Sequence, residues 1–355
     1  MANEKMLMKG NEALAEAAIR AGCRCYFGYP ITPQTEIAAY MAKRMPKEGR
    51  VFLQAESEVA AINMVYGAAA TGVRAMTSSS SPGVALKSEG ISYIAGSDLP
   101  CVIVNVQRGG PGLGSIQPAQ SDYYMATKAG GHGDFSLIVY APGSVQEMAD
   151  FTVRAFENAD KYRMPAMLLS DGLLGQMMEP VVFHDIKSEE PDRSGWAAMG
   201  HDNKREHHII TSFRLLPEEL EELNLERAKK YELVKSELAE AEEYLTEDAD
   251  IIVTGYGASG RIARTAVNAA RAEGIKAGLI RPITLWPFPE KAYAKAAQHA
   301  KVFIDVEMSM GQMVDDVKIA ISCSRPVRFV GRNGGIIPKL AEVLEQIRLA
   351  AKEVL

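Results

Sequence analysis

The fold of this chain is decided by QAESEVAA, residues 54–61, and by SSSSPG, residues 78–83. The pattern predicts an Ala-rich helix that begins at Glu58, with Ser57 as its cap and Gly72 at its end. A short strand and a Ser/Gly-rich turn should follow. A carboxylate at the head of a packed helix costs free energy unless a group binds it, so Glu58 needs an explanation.

Two interpretations of Glu58 are open from the residues alone. The simpler one is an ordinary first-turn acid, which the helix dipole favours. In the other, Glu58 shares an inward face with Ile62 and Val65, because residues about 100° apart along a helix repeat on one side. Gly67 would then face the opposite side and permit close packing there.

Length and composition exclude several classes of protein. The 355 residues are too many for one ordinary domain, and the net charge of −6 offers no basic face for nucleic acid. The four cysteines have no CxxC or Cys/His spacing, which argues against disulfide dependence, structural zinc or an iron–sulfur cluster held by this chain alone. No segment has the length and hydropathy of a signal peptide or a membrane span, so we expect a cytoplasmic protein.

The chain to about Phe183 alternates apolar runs with Ala-rich ones, which predicts βαβ units and a parallel sheet. The predicted strands are Arg24–Gly28, Val51–Gln54, Arg74–Thr77, Pro100–Gln107, Ser136–Tyr140 and Pro165–Ser170. The predicted helices are Gly10–Ala21, Gln34–Arg44, Glu58–Thr71, Gly83–Ser97 and Ser144–Arg163.

We therefore predict an α/β protein with one domain over residues 1–185, a linker and connecting helix over 186–247, and a second α/β domain over 248–355. Pro217 opens the connecting segment, which we interpret as an amphipathic helix packed on the domain junction. Its apolar positions recur at three- and four-residue spacing: Tyr231, Val234, Leu238, Ala241 and Leu245.

The Glu58 segment resembles the pyrimidine-binding domain of thiamine-diphosphate enzymes, in which a glutamate nine residues before a glycine holds the aminopyrimidine. Further motifs are similar to the α subunit of 2-oxoacid:ferredoxin oxidoreductases, most of all to the branched-chain (2-oxoisovalerate) type. These motifs are GYPITP (28–33), RAMTSSSSPG (74–83), EGISYIAG (89–96), VQRGGPG (106–112) and GGHGD (130–134). The resemblance implies a pyrimidine-domain fold, followed by a domain like the C-terminal domain of transketolase.

The same resemblance implies roles for individual residues. Glu58 would activate the cofactor, with Pro30, Ile31, Ser80 and Ser81 beside it. Thr32 and Arg108 would bind the carboxylate of the 2-oxoacid, to which a planar guanidinium can donate two hydrogen bonds. From the residues alone, Thr32 could be a turn threonine, Arg108 a surface ion-pair residue, and the serines at 78–81 a polar turn. A lone histidine in a glycine-rich loop, as at His132, is more often structural.

No Gly-Asp-Gly motif for magnesium occurs, and Ser170-Asp-Gly172 lacks the first glycine. The resemblance therefore implies a β subunit with the diphosphate, Mg²⁺ and a cluster, and smaller γ and ferredoxin-like δ subunits. The implied reaction converts a 2-oxoacid and coenzyme A to acyl-CoA with reduction of ferredoxin.

Three alternatives remain from the sequence. The first is the 2-oxoglutarate type of the same α subunit. The second is an NAD(P)-dependent dehydrogenase that uses GYGASG, residues 255–260, although Leu279-Ile-Arg-Pro282 stands where an acidic residue should bind the ribose. The third is a non-catalytic scaffold subunit.

Overall fold

The computed structural model describes residues 5–128, 130–184 and 191–354. Its strands, in chain order, are β1 Met6–Lys9, β2 Cys25–Gly28, β3 Val51–Gln54, β4 Ala75–Ser79, β5 Cys101–Gln107, β6 Ile138–Tyr140, β7 Pro165–Asp171, β8 Met178–Val181, β9 Ala241–Tyr244, β10 Ile251–Thr254, β11 Ala277–Pro282, β12 Thr284–Trp286, β13 Val302–Glu307 and β14 Val327–Gly331. The predicted boundary between residues 185 and 186 lies outside the described residues.

The helices follow the same order. They are α1 Gly10–Arg20, α2 Thr35–Arg44, α3 Glu58–Ala70, α4 Ser81–Leu86, α5 Ser88–Gly96, α6 Tyr123–Thr127, α7 Val145–Tyr162, α8 Gly172–Gln176, α9 Pro217–Leu238, α10 Gly257–Ala272, α11 Glu290–Ala296, α12 Met313–Ala320 and α13 Leu340–Val354. A short 3-10 helix, Met45–Glu48, follows α2. None of the helices in the described ranges is long and apolar enough to cross a bilayer.

The first sheet has seven strands in the order β12-β6-β7-β5-β4-β2-β3. Six of them are parallel, as predicted, and only β12 at the edge runs antiparallel to its neighbour β6. The central strands β4, β5 and β7 are buried along their whole length because helices cover both faces of the sheet. All six parallel strands were predicted to within two residues at each end.

The second sheet has five strands in the order β14-β13-β10-β11-β9, and β9 is its antiparallel edge. One face packs against α10 and α13 through a separate apolar cluster that includes Val267 and Ile347. The opposite face contributes Ile252 and Phe303 to the same cluster that fills one side of the first sheet. A shared apolar core therefore holds the two sheets together.

The structure corrects the predicted elements in four places. The predicted helix Gly83–Ser97 is two helices, α4 and α5, separated at Lys87. The connecting helix ends at Leu238, because β9 then pairs with β11 and satisfies its backbone groups as an edge strand. Two antiparallel strands that pair with each other, β1 and β8, were not predicted. The segment between β11 and α11 adds β12 to the first sheet.

The connecting helix α9 packs on the core of the first sheet. The interpretation that it lies on a domain junction stays a prediction. Val234 is completely buried in that core, and the Tyr231 ring contacts Trp286 edge-on at 5.6 Å between centroids. Within the turn before Tyr231, Arg227 and Lys230 form ion pairs with Asp98. Apolar contacts and ion pairs therefore fix the helix α9 against the first sheet.

Candidate functional site

The predicted site residues lie in the loops and helix starts that follow four neighbouring parallel strands, β3, β2, β4 and β5. The ends of β2 and β3 are tied together, since the N–H of Ala55 donates to the carbonyl of Gly28 at 2.8 Å. The carboxyl ends of parallel strands form one edge of a sheet, and ligands of α/β proteins bind at such edges. The fold therefore brings the separate sequence motifs to one place.

Glu58 is the first residue of α3 and only 6% of its surface is exposed. The Ser57 hydroxyl accepts the N–H of Ala60 at 3.1 Å, so the serine caps the helix and the Glu58 carboxyl is not needed for that purpose. A methyl group built on Gly83 would lie 2.6 Å from Glu58 Oε1, which shows that the carboxyl faces the space beside this glycine.

The far end of α3 matches the prediction only in part. Gly72 takes a φ of 83°, the left-handed conformation that ends helices and that glycine adopts without strain. Gly67, however, is exposed, and no atom of the described residues lies within 4 Å of a methyl group built on it. The predicted close packing at Gly67 is therefore wrong within this chain.

The four serines after β4 divide into two pairs. Ser78 bonds the Tyr26 hydroxyl at 2.6 Å and donates to Gln34 Oε1 at 2.5 Å. Ser81 accepts the N–H of Arg108 at 3.0 Å. In contrast, the buried hydroxyls of Ser79 and Ser80 have no hydrogen-bond partner among the described residues. Because buried polar atoms are rarely unpartnered, this pair indicates a place where a ligand supplies the partner.

Ser81 lies between Arg108 and a buried polar cluster. Its hydroxyl donates to Asp122 Oδ2 at 2.5 Å, and its N–H donates to Asn105 Oδ1 at 3.0 Å. Asn105 also donates to Asp122 at 2.9 Å. Burial raises the pKa of Asp122, and the two donated hydrogen bonds oppose that rise. Sequence reasoning did not identify Asn105 or Asp122, which fix Ser81 and through it the backbone of Arg108.

Arg108 and Thr32, 76 positions apart in the sequence, are in direct contact. Arg108 Nη1 donates to the carbonyl of Thr32 at 3.0 Å, and Nη2 donates to the carbonyl of Leu113 at 3.0 Å. Its buried Nε has no hydrogen-bond partner in the described parts of the chain. Two of the five N–H donors of the guanidinium therefore hold it in place, and its buried Nε–H is without a partner among the described residues.

The turn that carries Thr32 is held in place by contacts of Asn11 and Gly172 with Pro33. Pro30 and Thr32 are exposed, and Ile31 is half-buried. The side chain of Asn11 donates to the carbonyl of Pro33 at 2.9 Å. A methyl group on Gly172 would lie 3.1 Å from Pro33 Cγ, so the glycine at the end of β7 permits this close approach. The turn presents its 30–32 side to solvent and its other side to the sheet.

Lys87, which sequence reasoning also missed, is completely buried at the break between α4 and α5. Its Nζ donates to Thr77 Oγ1 at 2.7 Å and to the carbonyl of Ser78 at 3.1 Å. Burial lowers the pKa of Lys87 to about 7, and the charge of Glu58 opposes that fall. The only signal in the sequence was a lysine inside the otherwise uncharged run PGVALKS.

Two other motifs, the loop at His132 and the GYGASG turn, are bonded to neighbouring residues of the chain. His132 is exposed, and its backbone N–H donates to Ser92 Oγ at 2.9 Å. The GYGASG turn is filled by the buried side chain of Gln120, which donates to the carbonyl of Tyr256 at 2.8 Å and accepts from the Ser259 hydroxyl at 2.6 Å. Gln120 therefore already bonds this turn, and, with no acidic residue at 279–282, nothing in the structure favours a dehydrogenase.

Two family models match this chain. Residues 16–252 match the family model described as pyruvate flavodoxin/ferredoxin oxidoreductase, thiamine diphosphate-binding. Residues 249–343 match the model for core domain II of pyruvate:ferredoxin oxidoreductase.

Among curated relatives, the ketoisovalerate oxidoreductase subunit VorB of Methanothermobacter marburgensis is 51% identical, with 98% of each chain covered. The 2-oxoglutarate synthase subunit KorA of Methanothermobacter thermautotrophicus is 37% identical, with 97% of this chain and 98% of that protein covered.

Two solved structures share the fold. A 2-oxoglutarate:ferredoxin oxidoreductase from Magnetococcus marinus, with 2-oxoglutarate, coenzyme A and succinyl-CoA bound, matches with a TM-score of 0.87 and 29% identity. The match covers 99% of this chain and 66% of that one. A split-gene transketolase matches over 98% of this chain with a TM-score of 0.61 and 15% identity, which is a likeness of fold alone.

Proposed function

Because this chain belongs to the pyruvate flavodoxin/ferredoxin oxidoreductase family, as a 2-oxoacid:ferredoxin oxidoreductase subunit, we propose that it holds the pyrimidine half of thiamine diphosphate and the 2-oxoacid. The observation that carries the proposal is the buried Glu58 carboxyl, which faces the space beside Gly83 next to the unpartnered hydroxyls of Ser79 and Ser80.

These residues fit the pyrimidine half of the cofactor. The ring has polar nitrogens and an apolar face, and the site offers a carboxyl, two hydroxyls and the side chains of the 30–31 turn. The chemistry that the bound cofactor supplies is a carbon nucleophile that also accepts the electrons left by loss of carbon dioxide. The part of Glu58 is to share a proton with a ring nitrogen. Ser80, Pro30 and Ile31 enclose the ring, and Ser81 keeps Arg108 in place.

Arg108 and Thr32 bind the substrate in this proposal. The guanidinium is already fixed by two backbone carbonyls, so little side-chain freedom is lost when a 2-oxoacid carboxylate arrives. Its remaining Nε–H and the exposed Thr32 are the groups that orient this carboxylate. A charge-assisted hydrogen bond of this kind contributes about 1.5–3 kcal/mol.

The reaction we propose is oxidative decarboxylation of a branched-chain 2-oxoacid to its acyl-CoA, with two electrons passed to ferredoxin. Identity of 51% to a ketoisovalerate oxidoreductase subunit, against 37% to a 2-oxoglutarate synthase subunit, favours the branched-chain substrate. The 2-oxoglutarate type is the second candidate, supported by the solved structure with 2-oxoglutarate bound.

The remaining parts of the enzyme belong to partner subunits in this proposal. Among the described residues no group of three or more His, Cys, Asp or Glu side chains could hold a metal ion. We assign Mg²⁺, the diphosphate half-site and a cluster to a β subunit, and further clusters to smaller γ and δ subunits. A cytoplasmic location remains a prediction from composition.

Replacing Glu58 by Gln tests the proposal. Glutamine keeps the size of the side chain but cannot share a proton, so turnover of the assembled complex should fall about 10²- to 10⁴-fold. The measurement is 2-oxoacid-dependent reduction of a viologen dye. The matched control is Glu56→Gln, an exposed acid two residues earlier, which should keep wild-type turnover. Near-normal turnover of folded, assembled Glu58→Gln would reject the proposed role.

A further inference from the structure

A cavity of about 400 Å³ lies at the amino end of β5, away from the candidate functional site. Its wall includes Ser97 and Asp98, which precede this strand, whereas Arg108 follows the carboxyl end of the same strand. The C-cap of α7, the helix α9 and the irregular segment 196–214 complete the wall. Cavities of roughly 300–1,000 Å³ are the size that binds small molecules. The residues that we assign to the cofactor and the 2-oxoacid do not line it.

The charges on the wall of this cavity are unbalanced. Among the residues that the structure describes, three arginines line it, Arg163, Arg214 and Arg227, against a single acid, Asp98. This acid is already shared, because Arg227 and Lys230 both form ion pairs with it, at 3.1 and 2.6 Å. A surplus of positive charge therefore surrounds the cavity, in a chain whose net charge is −6.

Arg163 and Arg214 contact neutral groups of the chain and form no ion pair within the described ranges. Arg163 Nε donates to the carbonyl of Asp98 at 3.2 Å, and the guanidinium lies over the Trp196 ring, 4.5 Å from its centroid. Arg214 Nη1 donates to the carbonyl of Phe213 at 2.8 Å. A guanidinium has five N–H donors, so most donors of both arginines remain for a ligand.

The wall also indicates the chemical class of this ligand. A phosphomonoester carries about −1.5 to −2 charges at pH 7, which matches two arginines without an ion pair better than the single charge of a carboxylate does. The planar fork of a guanidinium suits phosphate oxygens. Beside the arginines the wall has apolar surface from Trp196, Ile210 and Leu223, which a bare inorganic ion would leave uncovered. The ligand therefore needs an organic part as well as a phosphoryl group.

We propose that this cavity binds a small phosphomonoester of the size of a nucleoside monophosphate, with Arg163 and Arg214 on the phosphoryl group and the apolar wall at Trp196 on the organic part. The site goes beyond the function proposed above, because it shares no residue with the contacts of the cofactor or the 2-oxoacid. It stands or falls independently of the role of Glu58.

Calorimetric titration of the assembled complex, saturated with thiamine diphosphate and Mg²⁺, tests this site. The probes are AMP, UMP and ribose 5-phosphate, of which at least one should bind. Arg163→Met and Arg214→Met should each raise the dissociation constant of that probe roughly 10- to 150-fold, since each removes a charge-assisted hydrogen bond. The matched control is Lys229→Met, which removes an exposed cation of α9 that does not line the cavity. This variant should change the dissociation constant less than about twofold.

Three results would overturn the proposal. The first is that no probe binds at millimolar concentration, as when a partner subunit covers the cavity. The second is binding that both arginine variants leave unchanged, which would place the probe elsewhere. The third is inorganic phosphate binding as tightly as the best probe, because the apolar wall would then take no part. If Arg163→Met does not assemble, Arg214→Met on the irregular segment decides the outcome. Arg163→Lys keeps the charge without the planar fork and should weaken binding less than Arg163→Met does.

Discussion

Gly83 determines, at the scale of single residues, whether the Glu58 carboxyl has space in front of it. A side chain at this position would meet Ser79 Oγ and would lie 2.6 Å from Glu58 Oε1, a separation that real Cβ atoms do not tolerate. The lack of a side chain at Gly83 therefore lets the Glu58 carboxyl and the Ser79 hydroxyl lie against this residue.

Replacing Gly83 by Ala should displace the Glu58 carboxyl and weaken the binding free energy of the cofactor by about 1.5–3 kcal/mol. The dissociation constant should then rise roughly 10- to 150-fold. Calorimetric titration of the assembled complex measures it. Gly67→Ala is the matched control, because the described chain leaves open space there and alanine favours the helix by up to about 1 kcal/mol. Wild-type affinity in Gly83→Ala would show that the ring binds elsewhere.

At the scale of elements, the short helix α8 supports the turn that carries Thr32. Asp171 Oδ1 accepts the N–H groups of Leu173 and Leu174 at 2.9 and 3.1 Å, which caps the helix. The capped helix keeps Gly172 against Pro33. Burial raises the pKa of Asp171 from 3.8 to about 6, and the hydrogen bonds from the backbone oppose this rise.

The raised pKa predicts how stability depends on pH. The folded chain binds the Asp171 proton more tightly than the unfolded chain, so this residue's contribution to stability decreases as pH rises from about 4 to 6. Asp171→Asn keeps an acceptor but cannot ionise. Relative to this variant, the wild type should lose up to about 3 kcal/mol between pH 4 and 7 in urea unfolding.

The control for this prediction is Asp202→Asn, an exposed aspartate at a φ of 49° that asparagine tolerates. Its stability should follow the wild type across the same range. A difference between wild type and Asp171→Asn that does not change with pH would contradict the assignment of a charge penalty to Asp171.

At the scale of the whole molecule, the two sheets share one apolar core, and Gln120 joins them with hydrogen bonds to Tyr256, Ser259 and Met308. The described residues hold this arrangement together without a metal cluster of their own. We predict that this chain folds without the Mg²⁺ that the proposed complex needs to load its cofactor.

Removal of Mg²⁺ tests this prediction. Treating the purified complex with EDTA should release thiamine diphosphate into the filtrate while the far-UV circular dichroism of the complex stays unchanged. Added Mg²⁺ should restore binding, and EDTA already saturated with Mg²⁺ serves as the control. Unfolding of this chain on chelation would mean that it depends on the metal directly.

Much of the fold was predictable because its signals are local. Apolar runs, Ala-rich periodicity and the Ser57 cap predicted the six parallel strands and the start of α3, since each depends on neighbours in sequence. The family resemblance, including the branched-chain type, is confirmed by matches over nearly the whole chain. The α/β, transketolase-like fold is confirmed as well.

Tertiary contacts settled which polar atoms are satisfied and which are available. Four consecutive serines look alike in the sequence, yet contacts from Gln34 and Asp122 occupy two of them and leave Ser79 and Ser80 unpartnered. Gln120 filled a glycine-rich turn that resembled a nucleotide site, and Lys87 became a buried side chain that donates to Thr77. The reason is that hydrogen-bond partners and burial depend on residues distant in sequence, whereas periodicity records only which face of an element is apolar.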